Sequence, residues 1–430
     1  MNQETPKLNR RRFLKTTLAA AGGAAVLPAI IPSSAMGADG ATPPSDRIVM
    51  GTIGCGGRGR KDMRAFLAYA DVQMLAVCDV QGSRRGGAKK DVDKKYRNKD
   101  CKTYIDIREL LGRSDIDAVL IATGDNNHSM VSIEAARAGK DMYCEKPMSV
   151  TIAESRAVSD AMKRFSRIFQ CGTQRRNVGN FVWAANLARS GKLGEIKTVH
   201  AEKAGKAGAK SGVNFTVLPT QDEPAREVMD WNGWLGPAMW RPYNARYHLR
   251  KFWAHHGDFS GGSICEWGSH TVDICQWAID ADDTSAIDYE VINSKADVQA
   301  TYANGTKLII RKGLRFGSCP VRFEGTEGWV ETGDSGQFEV FPKSLMAERR
   351  FKGGYPQNNH VREFLNCVKS RKQPVAPAEG AHRSISTCHV ANICVRLGRP
   401  VKWDPIKEEF PNDPEANRLV SRAYRHPWRL

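Results

Sequence analysis

The strongest constraint on this chain is an alternation. Between Arg47 and Gln170 short apolar runs trade places with amphipathic stretches, and the first run ends in Gly54-Cys55-Gly56-Gly57-Arg58-Gly59. Residues 47–53, 72–78, 118–122, 141–144 and 168–171 have the near-continuous apolar composition of strands buried on both faces. Between them, residues 58–70, 84–96, 129–138 and 151–164 place apolar side chains at helical spacing. Repeated strand-helix units predict a doubly wound α/β domain around a parallel sheet.

The glycine run has the spacing GxGxxG. In a chain with 39 glycines the pattern alone carries little, and its position decides its meaning. It closes a strand and opens a helix, so Gly54, Gly56, Gly57 and Gly59 allow a tight turn and bring a pyrophosphate close to the helix N-terminus, beside Arg58. Asp79 ends the second strand, where a carboxylate can accept hydrogen bonds from ribose hydroxyls. That favours NAD, while Arg84 and Arg85 keep NADP possible.

Beyond residue 173 the rhythm changes. Residues 195–201, 289–299, 307–311 and 319–325 read as strands that follow one another with little helix between, which predicts an α+β domain with a large, mostly antiparallel sheet. A helix over 263–279 interrupts them, helices follow at 360–370 and 381–397, and 399–403 is extended. The expected organisation is a signal and linker over 1–45, a nucleotide-binding domain over 46–172, a substrate domain over 173–405 and a tail over 406–430 with no readable pattern.

A formal charge of +17 raises the question of nucleic acid. The basic clusters Lys89-Lys90, Lys94-Lys95 and Arg349-Arg350 sit beside Asp91, Asp93 and Glu348, and none interleaves with aromatics as a base-stacking surface would. No nucleic-acid partner is expected. At the amino terminus, Arg10-Arg11-Arg12-Phe13-Leu14-Lys15 precedes an Ala/Gly-rich run interrupted by Pro28, too weakly apolar for a stable membrane span. It resembles a twin-arginine export signal, with small residues at Ala35 and Gly37 suited to cleavage. That reading implies the twin-arginine export machinery as a partner and a periplasmic or otherwise exported location. The eleven cysteines agree with it: they are odd in number, scattered, and several lie in apolar strands, as in a protein folded in a reducing compartment before export.

Two further segments carry chemistry. Glu145-Lys146-Pro147 follows the strand 141–144, and ligands of open α/β sheets bind beyond the carboxyl ends of strands. In Glu266-Trp267-Gly268-Ser269-His270-Thr271-Val272-Asp273, helical spacing puts Glu266, His270 and Asp273 on one stripe, suited to proton transfer and orientation. No second ligand cluster accompanies them, so no metal is expected.

Taken in order, the glycine turn, Glu-Lys-Pro, and an acidic-x-x-x-His-x-x-Asp helix resemble the Gfo/Idh/MocA family of sugar and inositol dehydrogenases over most of residues 46–405. The resemblance implies hydride transfer between a nicotinamide cofactor and a hydroxyl of a sugar, sugar derivative or cyclitol. It implies that Lys146 polarises or deprotonates the hydroxyl, that His270 is the general acid/base, and that Glu266 assists both. Glu266 stands where Asp is usual, which displaces the carboxylate by one bond. It also implies cofactor contacts from Thr123, Glu145 and Lys146, and a sugar pocket drawn from Arg175, Arg176, Asn244, Arg246, Tyr247, Trp253 and Asp273. In Thr123-Gly124-Asp125-Asn126-Asn127-His128, Gly124 and Asn127 replace a usual Pro and aromatic, and no catalytic role is expected for His128. Export implies scarce free cofactor, which brings in an alternative: a redox-neutral, NAD-dependent glycoside hydrolase or lyase with tightly bound cofactor. A sugar-binding protein without activity is the third class. An open sheet in the second domain would suit a homo-oligomer.

Overall fold

The computed structural model describes residues 43–203, 213–349 and 358–430. The export signal expected around Arg10-Arg11-Arg12 lies outside the described residues. Everything below concerns the compact unit Ile48–Leu430.

Its first half follows the strand-helix alternation: β1 (Ile48–Ile53), α1 (Gly57–Phe66), β2 (Val72–Cys78), α2 (Gly82–Tyr96), β3 (Lys102–Tyr104), α3 (Ile107–Leu111), β4 (Ala118–Ile121), α4 (Asp125–Arg137), β5 (Asp141–Cys144), α5 (Ile152–Phe165) and β6 (Phe169–Cys171). The strands form one six-stranded sheet in the order β3-β2-β1-β4-β5-β6, every pair parallel. β4 and β5 are buried at every residue, as strands covered on both faces must be. The order reverses between β1 and β4, so a crevice opens over the carboxyl end of β1.

Two boundaries differ from expectation in ways that matter. β3 and α3 were not anticipated: β3 is three residues long and largely exposed, so it carries no apolar run. α4 begins four residues early, at Asp125, because Gly124 serves as its N-cap and the polar Asp125-Asn126-Asn127 forms its first turn.

The second half contributes α6 (Gly179–Arg189), β7 (Ile196–Glu202), α7 (Trp231–Leu235), α8 (Arg250–Trp253), α9 (Gly262–Ala278), β8 (Asp288–Val291), β9 (Val298–Thr301), β10 (Lys307–Arg311), β11 (Val321–Gly325), β12 (Trp329–Thr332), β13 (Phe338–Phe341), α10 (Asn358–Ser370), α11 (Ala378–Leu397), β14 (Val401–Lys402) and α12 (Pro414–Asn417). Its eight-stranded sheet runs β13-β12-β11-β7-β10-β9-β8-β14 and is antiparallel except for β7 with β10. The single strand expected over 289–299 is a hairpin. Asn293 turns the chain, its side-chain oxygen accepting from the backbone N–H of Lys295 at 2.9 Å and Asp297 at 3.2 Å.

α9 packs between β7 and α11 and is buried on nearly all sides. α10 returns to the first domain, where Phe364 meets Phe66 and Tyr143 edge-on at 5.9 and 6.1 Å. The tail is ordered by charge: Arg422 pairs with buried Glu154 at 2.7 Å. All eleven cysteines are buried thiols with no disulfide. Among the described residues no helix is long and apolar enough to cross a membrane, and no His/Cys/Asp/Glu group is arranged to hold a metal.

Candidate active site

A cavity of about 760 Å³ lies over the carboxyl ends of β1, β2, β4 and β5, and α9 forms part of its wall. At its floor, Gly54 has φ +89°, and a Cβ there would overlap the Ala122 carbonyl; a Cβ on Gly59 would overlap the Gly54 carbonyl oxygen. Gly56 and Gly57 open into the cavity, and a Cβ on Gly57 would touch nothing within 4 Å. α1 starts at this turn with no side-chain cap and no acidic residue in its first turn. Its N–H groups and positive dipole end are therefore available to an anion. Asp79 fixes the turn, its carboxylate accepting from the N–H of Cys55 at 2.6 Å and of Gln81 at 2.8 Å. Burial pushes its pKa up, and those hydrogen bonds and Arg84 oppose the rise. Arg84 lines the cavity, whereas Arg85 is tied down, donating to the carbonyls of Asp79 at 2.6 Å and Glu227 at 3.1 Å.

Glu145 lines the cavity but is held from behind. It accepts from Arg58 at 2.9 Å and from Gln174 at 2.7 Å, while Arg58 also donates to Asp62 at 2.8 Å. Burial raises the Asp62 pKa and the neighbouring Glu145 carboxylate adds to this, against Arg58. Burial also acts to raise Glu145, but Arg58 and Lys146 outweigh it and keep it ionised. Arg58 and Glu145 thus build the wall behind Lys146.

Lys146 reaches across to the second domain, where its Nζ donates to the Glu266 carbonyl oxygen at 3.0 Å. Burial lowers its pKa, against the pull of Glu145 and Asp125. Asp125, at the first position of α4, was not anticipated as a site residue. Burial pushes its carboxyl up to about 6, against Lys146 and Ser260, and its Oδ2 is buried without a hydrogen-bond partner. The signal was its place two residues beyond Thr123, which also lines the cavity.

The stripe on α9 divides. Glu266 lines the cavity and pairs through its carboxylate with Arg250. His270 lines it too, its Nε2 accepting from Arg175 at 2.8 Å. Because an arginine only donates, this contact assigns the proton of the neutral ring to Nδ1, which is buried without a partner. Burial and then Arg175 and Lys146 hold the His270 pKa well below its ordinary value. Arg175 is itself oriented by Asp334, at 3.1 and 2.6 Å, and Asp334 accepts from Ser318 at 2.6 Å.

Asp273 does not reach the cavity. It forms a two-bond ion pair with Arg176, both contacts 2.8 Å and both side chains 1% exposed, and Arg176 also binds Asp282 at 2.6 and 2.7 Å. The expected sugar contacts from Arg176 and Asp273 are thus corrected: their hydrogen bonds are spent within the protein. Tyr247 is likewise outside the cavity, its hydroxyl accepting from the Leu218 N–H at 2.8 Å and its ring stacked on Trp231. Asn244 donates to the Pro219 carbonyl at 2.8 Å. Arg175 and Trp253 do line the cavity, joined by Trp234, Trp267 and Trp428, which sequence reasoning missed.

The residues present fit a dinucleotide. The uncapped helix end and open glycines suit a pyrophosphate, and the partnerless polar atoms on Asp125, His270 and Trp428 lie on residues lining the remaining space.

Residues 48–173 match the oxidoreductase-family profile described as an NAD-binding Rossmann fold, and residues 186–430 match that of its C-terminal alpha/beta domain. The chain is 32% identical over 152 residues to an inositol 2-dehydrogenase of Salmonella typhimurium, covering 35% of this chain and 44% of the relative. It is 29% identical over 214 residues, 46% of each chain, to a glycosyl hydrolase family 109 protein of Shewanella baltica. It thus spans less than half the length of these curated relatives. Among solved structures, levoglucosan dehydrogenase in complex with NADH and levoglucosan has a TM-score of 0.60 at 15% identity, over 83% of this chain and 99% of the other. Aldose-aldose oxidoreductase from Caulobacter crescentus has a TM-score of 0.57 at 18% identity, with the same coverage. At such identities the likeness is one of fold.

Proposed function

Because the chain belongs to the Gfo/Idh/MocA oxidoreductase family, we propose that it is an NAD(P)-dependent oxidoreductase acting on a hydroxyl of a sugar, sugar derivative or cyclitol. The observation that carries this reading is the meeting of Lys146 and His270, from different domains, in the cavity floored by the glycine turn. When bound, the nicotinamide supplies the hydride acceptor or donor. The protein supplies the proton chemistry. A lowered pKa makes an unprotonated Lys146 available to accept the hydroxyl proton, and neutral His270, oriented by Arg175, donates through Nδ1 to the same oxygen. Four tryptophans around the cavity offer apolar faces to a sugar ring, and Arg250, which pairs with Glu266 through one end of its guanidinium, offers a cationic donor.

A redox-neutral reaction on a glycoside is the second reading, and the longer similarity to a glycosyl hydrolase family 109 protein favours it. In that case the ring hydroxyl is oxidised transiently, the neighbouring C–H is acidified, the glycosidic group is eliminated, and the hydride is returned. One experiment separates the two: incubate the purified protein with NAD, NADP, free polyols including myo-inositol, and glycosides. Net NADH or NADPH supports the first reading, and aglycone release without net cofactor change supports the second. If neither Lys146→Ala nor His270→Ala alters the activity found, the assignment of this pair is wrong.

Export by the twin-arginine route to the periplasm is part of the proposal. Arg10-Arg11 followed by Phe13-Leu14-Lys15, and eleven buried free thiols, support it. Precursor retained in the cytoplasm when Arg10 and Arg11 are both Lys is the expected result, and unimpaired export sinks it.

A further inference from the structure

The crevice over β1 is crossed by a segment of the second domain. On one side the turn after β2 holds this segment by its backbone: Gly82 N–H donates to the Val228 carbonyl at 2.9 Å, Asp230 N–H donates to the Val80 carbonyl at 2.9 Å, and Gln81 forms an antiparallel bridge with Met229. On the other side the first turn of α4 holds it. Asn127 donates to the Trp234 carbonyl and Asn126 to the Leu235 carbonyl, both at 3.0 Å. Since β1 lies between β2 and β4 in the sheet, the helix between these fastenings, α7, spans the glycine turn. Gly233 and Trp234 of α7 line the same cavity as Gly54, Gly56 and Gly57.

The C-terminal tail pins this span. Arg425 gives its guanidinium to the carbonyls of Gly236 at 2.7 Å, Asn232 at 3.0 Å and Ala238 at 3.2 Å, and to the Asn232 side chain. Three residues later Trp428 lines the cavity, its indole N–H buried without a partner. Asp79, the glycine turn and Lys146, the residues that would receive a dinucleotide, line one cavity with Gly233 and Trp234 of α7 and with Trp428.

We propose that α7, pinned by the tail, is a bridge that holds the dinucleotide as a resident cofactor instead of an exchanging co-substrate, with the Trp428 N–H donating to it. This rests on the cofactor part of the reading above and not on the identity of the polyol. It gives a physical basis for working where free cofactor is scarce.

The test is the rate of NADH release from the full-length mature protein, followed by fluorescence after dilution into excess NAD, together with the nicotinamide that survives gel filtration. Wild type is expected to keep bound nicotinamide through the column. Arg425→Ala and Trp428→Ala are expected to speed release at least about tenfold; Arg425→Ala, which loses four hydrogen bonds, also lowers the unfolding midpoint of the cofactor-free protein, so its release is read on the folded protein. Trp428→Phe, which keeps the ring and loses the N–H, should fall between. Wild type that releases NADH within the mixing time overturns the inference whatever the variants do, as does release from folded variants at the wild-type rate. Wild type that binds no nicotinamide at all overturns the oxidoreductase reading as well.

Discussion

Arg175 and Arg176 are neighbours in sequence, yet one serves the cavity and the other the core. Arg175 links Asp334 to His270 at the cavity wall; Arg176, 1% exposed, is closed on both sides by Asp273 and Asp282. α9 supplies a partner to each, His270 and Asp273, less than one helical turn apart. A single polar stripe therefore splits into a cavity end and a structural end, and what splits it is the element each faces. Asp273 meets α11, where Ser384 donates to it at 3.2 Å, while His270 meets the crevice.

This division can be broken from either end. The largest effect is expected at the cavity end, where Lys146→Ala should lower turnover roughly 10²–10⁴-fold while denaturant unfolding stays within about 1 kcal/mol of wild type. At the core end the order reverses. Asp273→Ala leaves Arg176 underpaired in the interior and should cost about 3–5 kcal/mol of stability in the same unfolding measurement, with any activity loss tracking the folded fraction.

pH separates the ends further. In the proposed mechanism oxidation needs unprotonated Lys146, so its rate should rise with pH through a pKa below the ordinary lysine value; His270, held well below its own, should add no break near pH 6.5. Arg175→Met removes a cation in contact with the imidazole and should raise the His270 pKa toward its ordinary value, read by NMR titration of the ring. The smallest effect is expected at Tyr247→Phe, which loses one internal hydrogen bond, costs about 0.5–1.5 kcal/mol, and leaves KM for the polyol unchanged.

What was legible in the sequence follows the same line. Gly54, Asp79 and Lys146 were readable because each is defined by its place at a strand end, and strand ends are local features. The helical stripe of α9 was readable as spacing, but spacing does not say which partner faces each residue, so Asp273 and Arg176 looked like site residues. Asp125 was passed over because a polar first turn gives no apolar periodicity. The bridge and Trp428 were invisible for a stronger reason. Arg425 meets Gly236 across 189 residues of sequence, and no local pattern encodes such a contact.

The most direct test of the proposed chemistry uses a polyol, found in the substrate screen, that carries deuterium on the carbon bearing the reacting hydroxyl. Transfer of the label to the nicotinamide of NADH, abolished in Lys146→Ala but retained in Tyr247→Phe, is the expected result. Turnover of that polyol with no deuterium reaching the nicotinamide would contradict it.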